Sequence, residues 1–243
     1  MRDRPSGQNA LSQPAAVNAD VPTRISGSVS GATMGEPNLP AECGASGGFG
    51  AAALRCCDRV FARLAGTMIF LETARLLFRS HEAGDEADFV SMHTDAEVRR
   101  YVGGQAWTAE KARSRFREQY LGRPAETYGL WATVFKEEGK YIGCCGLRAP
   151  GNGMGASLGY YLARPYWRRG LASEASAAFI DVAFTRLGLS YVEADAEEGN
   201  AASEHILRKC GFKYVRREVV PGRGRIINFY ELAKDGWQRP GGS

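Results

Sequence analysis

The chain has 243 residues, 44% of them hydrophobic and 24% charged, with a formal net charge of +4. This balance supports a sizeable buried core, and the absence of Lys and Arg runs interleaved with aromatics argues against a nucleic-acid partner. No apolar stretch approaches the roughly 20 residues that span a bilayer, and the apolar run at 49–54 lies too deep in the chain for a secretory signal. A cytoplasmic protein without a membrane partner is expected.

The six cysteines, Cys43, Cys56, Cys57, Cys144, Cys145 and Cys210, include two adjacent pairs and no CxxC. Neighbours in sequence do not converge on one metal with zinc-site spacing. His81, His93 and His205 are scattered as well, so no metal site is expected.

Residues 1–67 are rich in Gly, Ala, Ser, Pro and Asn and carry no sustained period. Such a segment buries too little apolar surface to offset the entropy of ordering it. It is expected to be a disordered or non-native N-terminal extension, either a tolerated tail or the product of an upstream start codon, ahead of a domain over 68–243. Within it, Leu54, Cys57, Val60, Phe61 and Leu64 follow a helical spacing that predicts a short amphipathic helix.

Beyond Met68 the pattern becomes regular. A strand is predicted over 74–79, then short helices over 85–92 and 95–101, each with an Asp near its start, where the helix dipole favours it. Thr108 caps a longer helix ending near Leu121 before Gly122-Arg123-Pro124. Strands over 128–135 and 140–147 flank Lys136-Glu137-Glu138-Gly139, a hairpin signal. A strand over 157–163, a helix over 170–187, a strand over 191–196 and a helix over 200–210 follow. Strands near 212–219 and 226–232 close the chain. The order β-α-α-α-β-β-β-α-β-α-β-β describes one mixed α/β domain, and monomer and homodimer are both open.

The most informative stretch runs from Tyr160 to Ala175. A strand ends, a tight basic turn follows, and a helix begins at Gly170 or Leu171, with Leu171, Ala175, Ala178 and Val182 on one face. A helix N-terminus offers unpaired N–H groups to a phosphate. Gly170 lets the backbone approach that anion, Ala172 and Ser173 leave its path open, and Arg168 and Arg169 add charge. A capped helix behind a solvated Arg pair fits the same residues. The turn lacks the GxxxxGK[ST] spacing of a Walker loop.

The stretch LGYYLARPYWRRGLASEA resembles the acetyl-CoA-binding motif of the GNAT acetyltransferase superfamily. It is most similar to the branch of ribosomal-protein N-terminal (alanine/serine) acetyltransferases, where W-x-[KR]-G-x-[AG]-[ST]-E-A is typical. LETARLLFR, AEVRRYVGG, YGLWATVFKEEGKYIGCCGLR, NAASEHILRKCGF and NFYELAKDGW resemble further segments of that branch, in the same order. The resemblance implies a central, twisted, mostly antiparallel sheet with helices on both faces, whose fourth and fifth predicted strands are parallel and splayed. It implies acetyl-CoA as cosubstrate, with pantetheine along Tyr160, Tyr161 and Leu162 and the pyrophosphate on the amides of Arg168, Arg169, Gly170, Leu171, Ala172 and Ser173. A backbone N–H near Tyr161 would face the oxyanion. Asn200 is implied as a second cofactor contact, compatible with its ordinary reading as a helix N-cap. Ser203 is implied as proton donor to the leaving thiolate, although serine also suits a first helical turn.

Two positions depart from the pattern. Leu207 stands where many superfamily members carry a tyrosine acid, and Ser157 stands where the branch often has a glutamate. Glu193, Asp195 and Glu197 are the carboxylates left near the site. Trp107, Tyr128 and Trp131 are either acceptor-site or core aromatics. The expected activity is acetyl transfer to a primary amine by direct attack in a ternary complex. The acceptor is a protein or peptide N-terminus, with a small-molecule amine or antibiotic acetyltransferase and a non-catalytic CoA-binding module as the competing readings.

Overall fold

The computed structural model describes residues 62–64, 67–122, 128–149, 154–220 and 225–238. Nine strands form one sheet: β1 (Ala62–Leu64), β2 (Thr67–Glu72), β3 (Leu76–Arg79), β4 (Gly129–Phe135), β5 (Lys140–Arg148), β6 (Gly155–Leu162), β7 (Tyr191–Glu197), β8 (Lys213–Val220) and β9 (Arg225–Ala233). Their order is β1-β2-β3-β4-β5-β6-β7-β9-β8. All neighbouring pairs are antiparallel except β6 with β7.

The period of two along the central strands sorts side chains to two cores. Trp131 and Cys145 face one side, packing with Phe70, Phe78 and Phe179; Ala132 and Cys144 face the other, with Phe89, Phe116 and Tyr141. Cys144 and Cys145 therefore point to opposite faces, and burial pushes both thiols up, Cys144 to about 12. The first core is covered by α4 (Leu171–Asp181), with Leu207 of α5 (Ala201–Lys209) added at its edge. The second is covered by α1 (Glu86–Thr94), α2 (Ala96–Arg99) and α3 (Ala109–Gln119).

Local chemistry places these helices. Asp95 caps α2 by accepting from Glu97 N–H, and Thr108 caps α3 by accepting from Lys111 N–H. Ala112 and Phe116, one turn apart, bury the inner face of α3. The predicted helix over 170–187 is α-helical only to Asp181; Val182–Arg186 is a π-helical turn, with Leu187 N–H donating to Val182 O at 3.0 Å. The wider turn brings the consecutive residues Val182, Ala183 and Phe184 inward together, which an α-helical turn does less readily.

The N-terminal side differs from expectation. The helix read over 51–64 lies mostly outside the described residues, and its last three residues are strand β1. That strand pairs with β2, Arg63 opposite Met68, so a hairpin crosses the expected boundary at Met68. β2 was not anticipated, because its Met68–Leu71 apolar run straddles the change in composition.

Candidate active site

The chain leaves β6 at Leu162 through a 3-10 turn, Arg164–Tyr166, and Trp167 Nε1–H donates to Leu162 O at 2.7 Å. Arg168 then adopts φ 60 and Gly170 φ 75. Two left-handed residues within three bend the backbone directly into α4, with Gly170 at its N-cap. The N-terminal amides of α4 lack helical partners. A brace lies behind them. Glu174 accepts from Thr73 Oγ1 at 2.6 Å, Arg75 N at 2.9 Å and Arg75 Nε at 2.7 Å, and Arg75 Nη1 donates to Arg169 O at 2.9 Å. Burial pushes the Glu174 carboxyl up, but these hydrogen bonds outweigh it and hold the group below its usual range. The motif glutamate is thus a structural clamp between the turn and the β2–β3 connection.

β6 and β7 pair at only three positions, Gly155 with Tyr191, Ala156 with Val192 and Ser157 with Glu193. Beyond them β6 continues along β5 as far as Leu162, while β7 continues along β9 as far as Glu197. The strands splay, leaving the backbone of β6 past Ser157 without a strand on that side. Gly143 on β5 permits the close packing there: a Cβ would lie 2.2 Å from Tyr161 O.

A cavity of about 610 Å³ joins the splayed edge, the turn and α5. Tyr160, Tyr161, Leu162, Arg168, Gly170, Leu171, Ala172, Ser173, Asn200 and Ser203 all line it. Arg169 does not; its guanidinium lies over the Phe135 ring at 4.5 Å from the centroid, so among the two arginines only Arg168 faces the cavity. The sequence reading missed the opposite wall. Glu97, Val98, Tyr101 and Val102 come from the end of α2, and Ala202, Ile206 and Lys209 form one face of α5. The spacing of the last three is a helical stripe and was available in the sequence. The α2 wall is fixed by Tyr101, whose hydroxyl donates to Gly199 O at 3.1 Å and whose carbonyl accepts from Arg225 at 3.2 Å. Arg225 is itself paired with Glu197.

Asn200 Oδ1 accepts from Ser203 N at 3.1 Å, which makes it the N-cap of α5 while it lines the cavity. Ser203 Oγ lies 2.9 Å from Tyr160 OH. Leu207 is fully buried, so this helix brings no proton donor from that position. Ser157 lies opposite Glu193 at the splay point. Glu193, Asp195 and Glu197 alternate with buried Val192, Ala194 and Ala196, so they share the sheet face away from α4. Burial raises the Asp195 carboxyl to about 6, against the opposing pull of Arg148 and Arg225. Trp131 stacks on Phe70 at 4.5 Å, and Trp107 packs against His93 at 4.5 Å and Arg99 at 4.1 Å. Both are core aromatics.

The Acetyltransferase (GNAT) domain family model matches residues 75–213, more than half of the chain and including the turn, the splayed strands and α5. The chain belongs to the GNAT acetyltransferase family. It is an N-acetyltransferase enzyme by that membership. It is 31% identical over 167 residues to the uncharacterized N-acetyltransferase p20 of Bacillus licheniformis, covering 66% of this chain and 92% of that protein. The uncharacterized N-acetyltransferase YoaA of Bacillus subtilis is 28% identical over 170 residues, covering 68% and 96%. In structure, a GNAT-family acetyltransferase from Bacillus anthracis superposes with TM-score 0.60 at 18% identity, covering 68% of this chain and 98% of its own. The spermidine N-acetyltransferase of Vibrio cholerae, in complex with CoA and spermine, gives 0.56 at 15% identity, covering 68% and 98%. At those identities the structures show the shared fold: a mixed α/β, mostly antiparallel sheet with one parallel pair and helices on both faces.

Proposed function

We propose that this GNAT enzyme transfers acetyl from acetyl-CoA to a primary α-amine, a protein or peptide N-terminus, as the ribosomal-protein branch does. The observation that carries the cofactor assignment is the single cavity shared by the splayed edge of β6 and the left-handed turn at α4. The residues fit the group: open backbone on β6 suits the amide-bearing pantetheine arm, and the turn amides with Arg168 suit the pyrophosphate. Acetyl-CoA bound there supplies a thioester as the acyl donor. Tyr160, Tyr161 and Leu162 orient the pantetheine arm, Asn200 holds the start of α5 against it, and Ser203 presents a hydroxyl to the leaving sulfur. Reaction proceeds by direct attack in a ternary complex, with positioning supplying much of the rate.

The acceptor assignment rests on proton chemistry. Only a neutral amine attacks. At pH 7 about a tenth of an α-amine with pKa near 7.7–8.0 is neutral, against about one in 2,500 for a lysine near 10.4. Ser157 replaces the glutamate expected in this branch, so that position offers no carboxylate to take a proton from lysine. Asp195, which burial raises to about 6, is the carboxylate that a lysine preference would implicate.

The test is a pair of matched peptides, one free only at its N-terminus and the other only at a lysine side chain. The N-terminal peptide should be preferred at pH 7, its rate rising through pH 7–8 and then flattening. Preference for the lysine peptide would overturn the acceptor assignment. Turnover of neither peptide but of a small amine would move the enzyme to the small-amine reading.

A further inference from the structure

Tyr160 enters the cofactor reading through its backbone, yet its side chain also makes a polar contact in the cavity. The ring projects from the splayed part of β6 toward the first turn of α5, where its hydroxyl lies 2.9 Å from Ser203 Oγ. Both residues line the cavity. Asn200 Oδ1 already holds the Ser203 N–H, so the capping bond is made by Asn200 and the Ser203 hydroxyl is spared from it. Burial drives the Tyr160 phenol well above its ordinary range, further than its bond to Ser203 draws it back, so the hydroxyl keeps its proton.

We propose that the Tyr160 and Ser203 hydroxyls form one donor unit for the departing CoA sulfur, with Tyr160 as the positioning residue that aims the Ser203 hydrogen into the cavity. This rests on the acetyl-CoA reading of the cavity. Two hydroxyls carry two hydrogens. If Tyr160 donates to Ser203 Oγ, the Ser203 O–H is left over, and it sits in the first turn of α5, where the helix dipole favours a developing negative charge. Donors aimed at the place where charge appears are worth most when they are fixed in advance. The Tyr160 ring, partly buried against the first core, supplies that fixation, which a serine on a helix terminus lacks by itself. Leu207, fully buried, offers no competing donor.

The step balances. The amine nitrogen bonds to the acyl carbon, the carbon–sulfur bond breaks, and its electron pair stays on sulfur. Ser203 O–H donates to the sulfur and gives it a proton. Tyr160 keeps its hydrogen and holds it toward Ser203 Oγ. The proton shed by the new amide nitrogen returns through solvent to Ser203 Oγ, so the net products are an N-acetyl group and CoA thiol.

The experiment needs no acceptor. Free CoA is bound to the full-length protein, and the bound thiol is titrated by the ultraviolet absorbance of the thiolate. In the parent protein the bound thiol should ionise at lower pH than free CoA. Ser203→Ala and Tyr160→Phe should each raise that midpoint by about one pH unit, the scale of one hydrogen bond to a charged group. The double variant should add little beyond either single one, and Ser203→Thr should restore the parent value. Circular dichroism and Tm report whether each variant is folded, and Ser203→Ala, at a partly exposed position, carries the test if Tyr160→Phe misfolds. An unchanged midpoint in a folded Tyr160→Phe protein that binds CoA overturns the proposal and leaves the acetyl-CoA reading intact. Additive shifts in the double variant overturn it too, since independent donors need no pairing. Failure of the parent protein to bind CoA overturns both.

Discussion

Asp195 is a carboxylate kept where burial disfavours its charge. Its pKa of about 6 lies above the ordinary 3.8, so the folded state binds the proton more tightly than the unfolded chain does. The penalty is therefore full above pH 6 and vanishes as pH falls below about 4. Asp195→Asn should raise Tm at pH 7–8, by on the order of 1–3 kcal/mol of stability, with the gain fading toward pH 4. A thermal melt series across pH checks this, and a loss of stability at pH 7 would contradict it. The histidines behave oppositely. Burial, joined by Arg99, lowers His93 to about 3, and burial lowers His81 to about 4 despite the opposing pull of Asp85. Their stabilising effect is complete above pH 6.5 and is lost as pH falls toward 4. Neither ring nitrogen of His93 finds a hydrogen-bond partner among the described residues, while the ring stacks on Trp107. His93→Phe keeps the stack and removes two unpaired polar atoms. It should gain about 1–2 kcal/mol at pH 7, and more in acid, in the same melts. None of these environments was legible in the sequence, because burial of one residue is decided by elements far away in the chain.

At the scale of elements, the turn and its helix were legible because their chemistry is local. Gly170 followed by Leu171 fixes where α4 begins, and of the face read in the sequence Leu171, Ala175 and Val182 are buried and Ala178 partly so, while buried Phe179 was not part of that reading. The β4–β5 hairpin was legible for the same reason, with Gly139 at φ 62 closing it. The brace behind the turn was not legible, since Glu174 lies about a hundred positions from Thr73 and Arg75. Glu174→Ala removes three hydrogen bonds from a partly buried carboxylate and leaves Arg75 unclamped. Stability should fall by about 2–3 kcal/mol, and CoA affinity several-fold, because the Arg169 carbonyl loses its anchor. Calorimetric titration with CoA alongside a thermal melt measures both, and an unchanged affinity would show that the turn holds its shape without the brace.

Across the whole molecule, the order of elements follows from segments read in chain order and the splayed parallel pair from the family resemblance, whereas the closure of the cavity follows from neither. Tyr101, Arg225 and Glu197 tie the end of α2 to β7 and β9, and the contacts Tyr101 makes span more than ninety positions. The helix expected as far as Leu64 is a strand at its last three residues, because β1 borrows its register from β2. A chain beginning at Met68 loses that edge strand but neither core. It should fold and bind acetyl-CoA like the full chain, with Tm lower by a few degrees. Aggregation or loss of binding would show that the domain needs the residues before Met68 to fold.

The proposal that the turn into α4 seats acetyl-CoA for transfer to an amine has one direct test. The direct measurement is amine-dependent release of CoA thiol from acetyl-CoA, with the N-terminal peptide as acceptor, by the parent protein and by Gly170→Trp. Gly170 holds φ 75 at the N-cap of α4 and faces the cavity, so a tryptophan there places bulk on the path of the pyrophosphate. The parent should release thiol in proportion to peptide. Gly170→Trp, with its circular dichroism unchanged, should release none. Undiminished release by that variant, or acetyl-CoA binding by the parent with no release for any amine, would contradict the account.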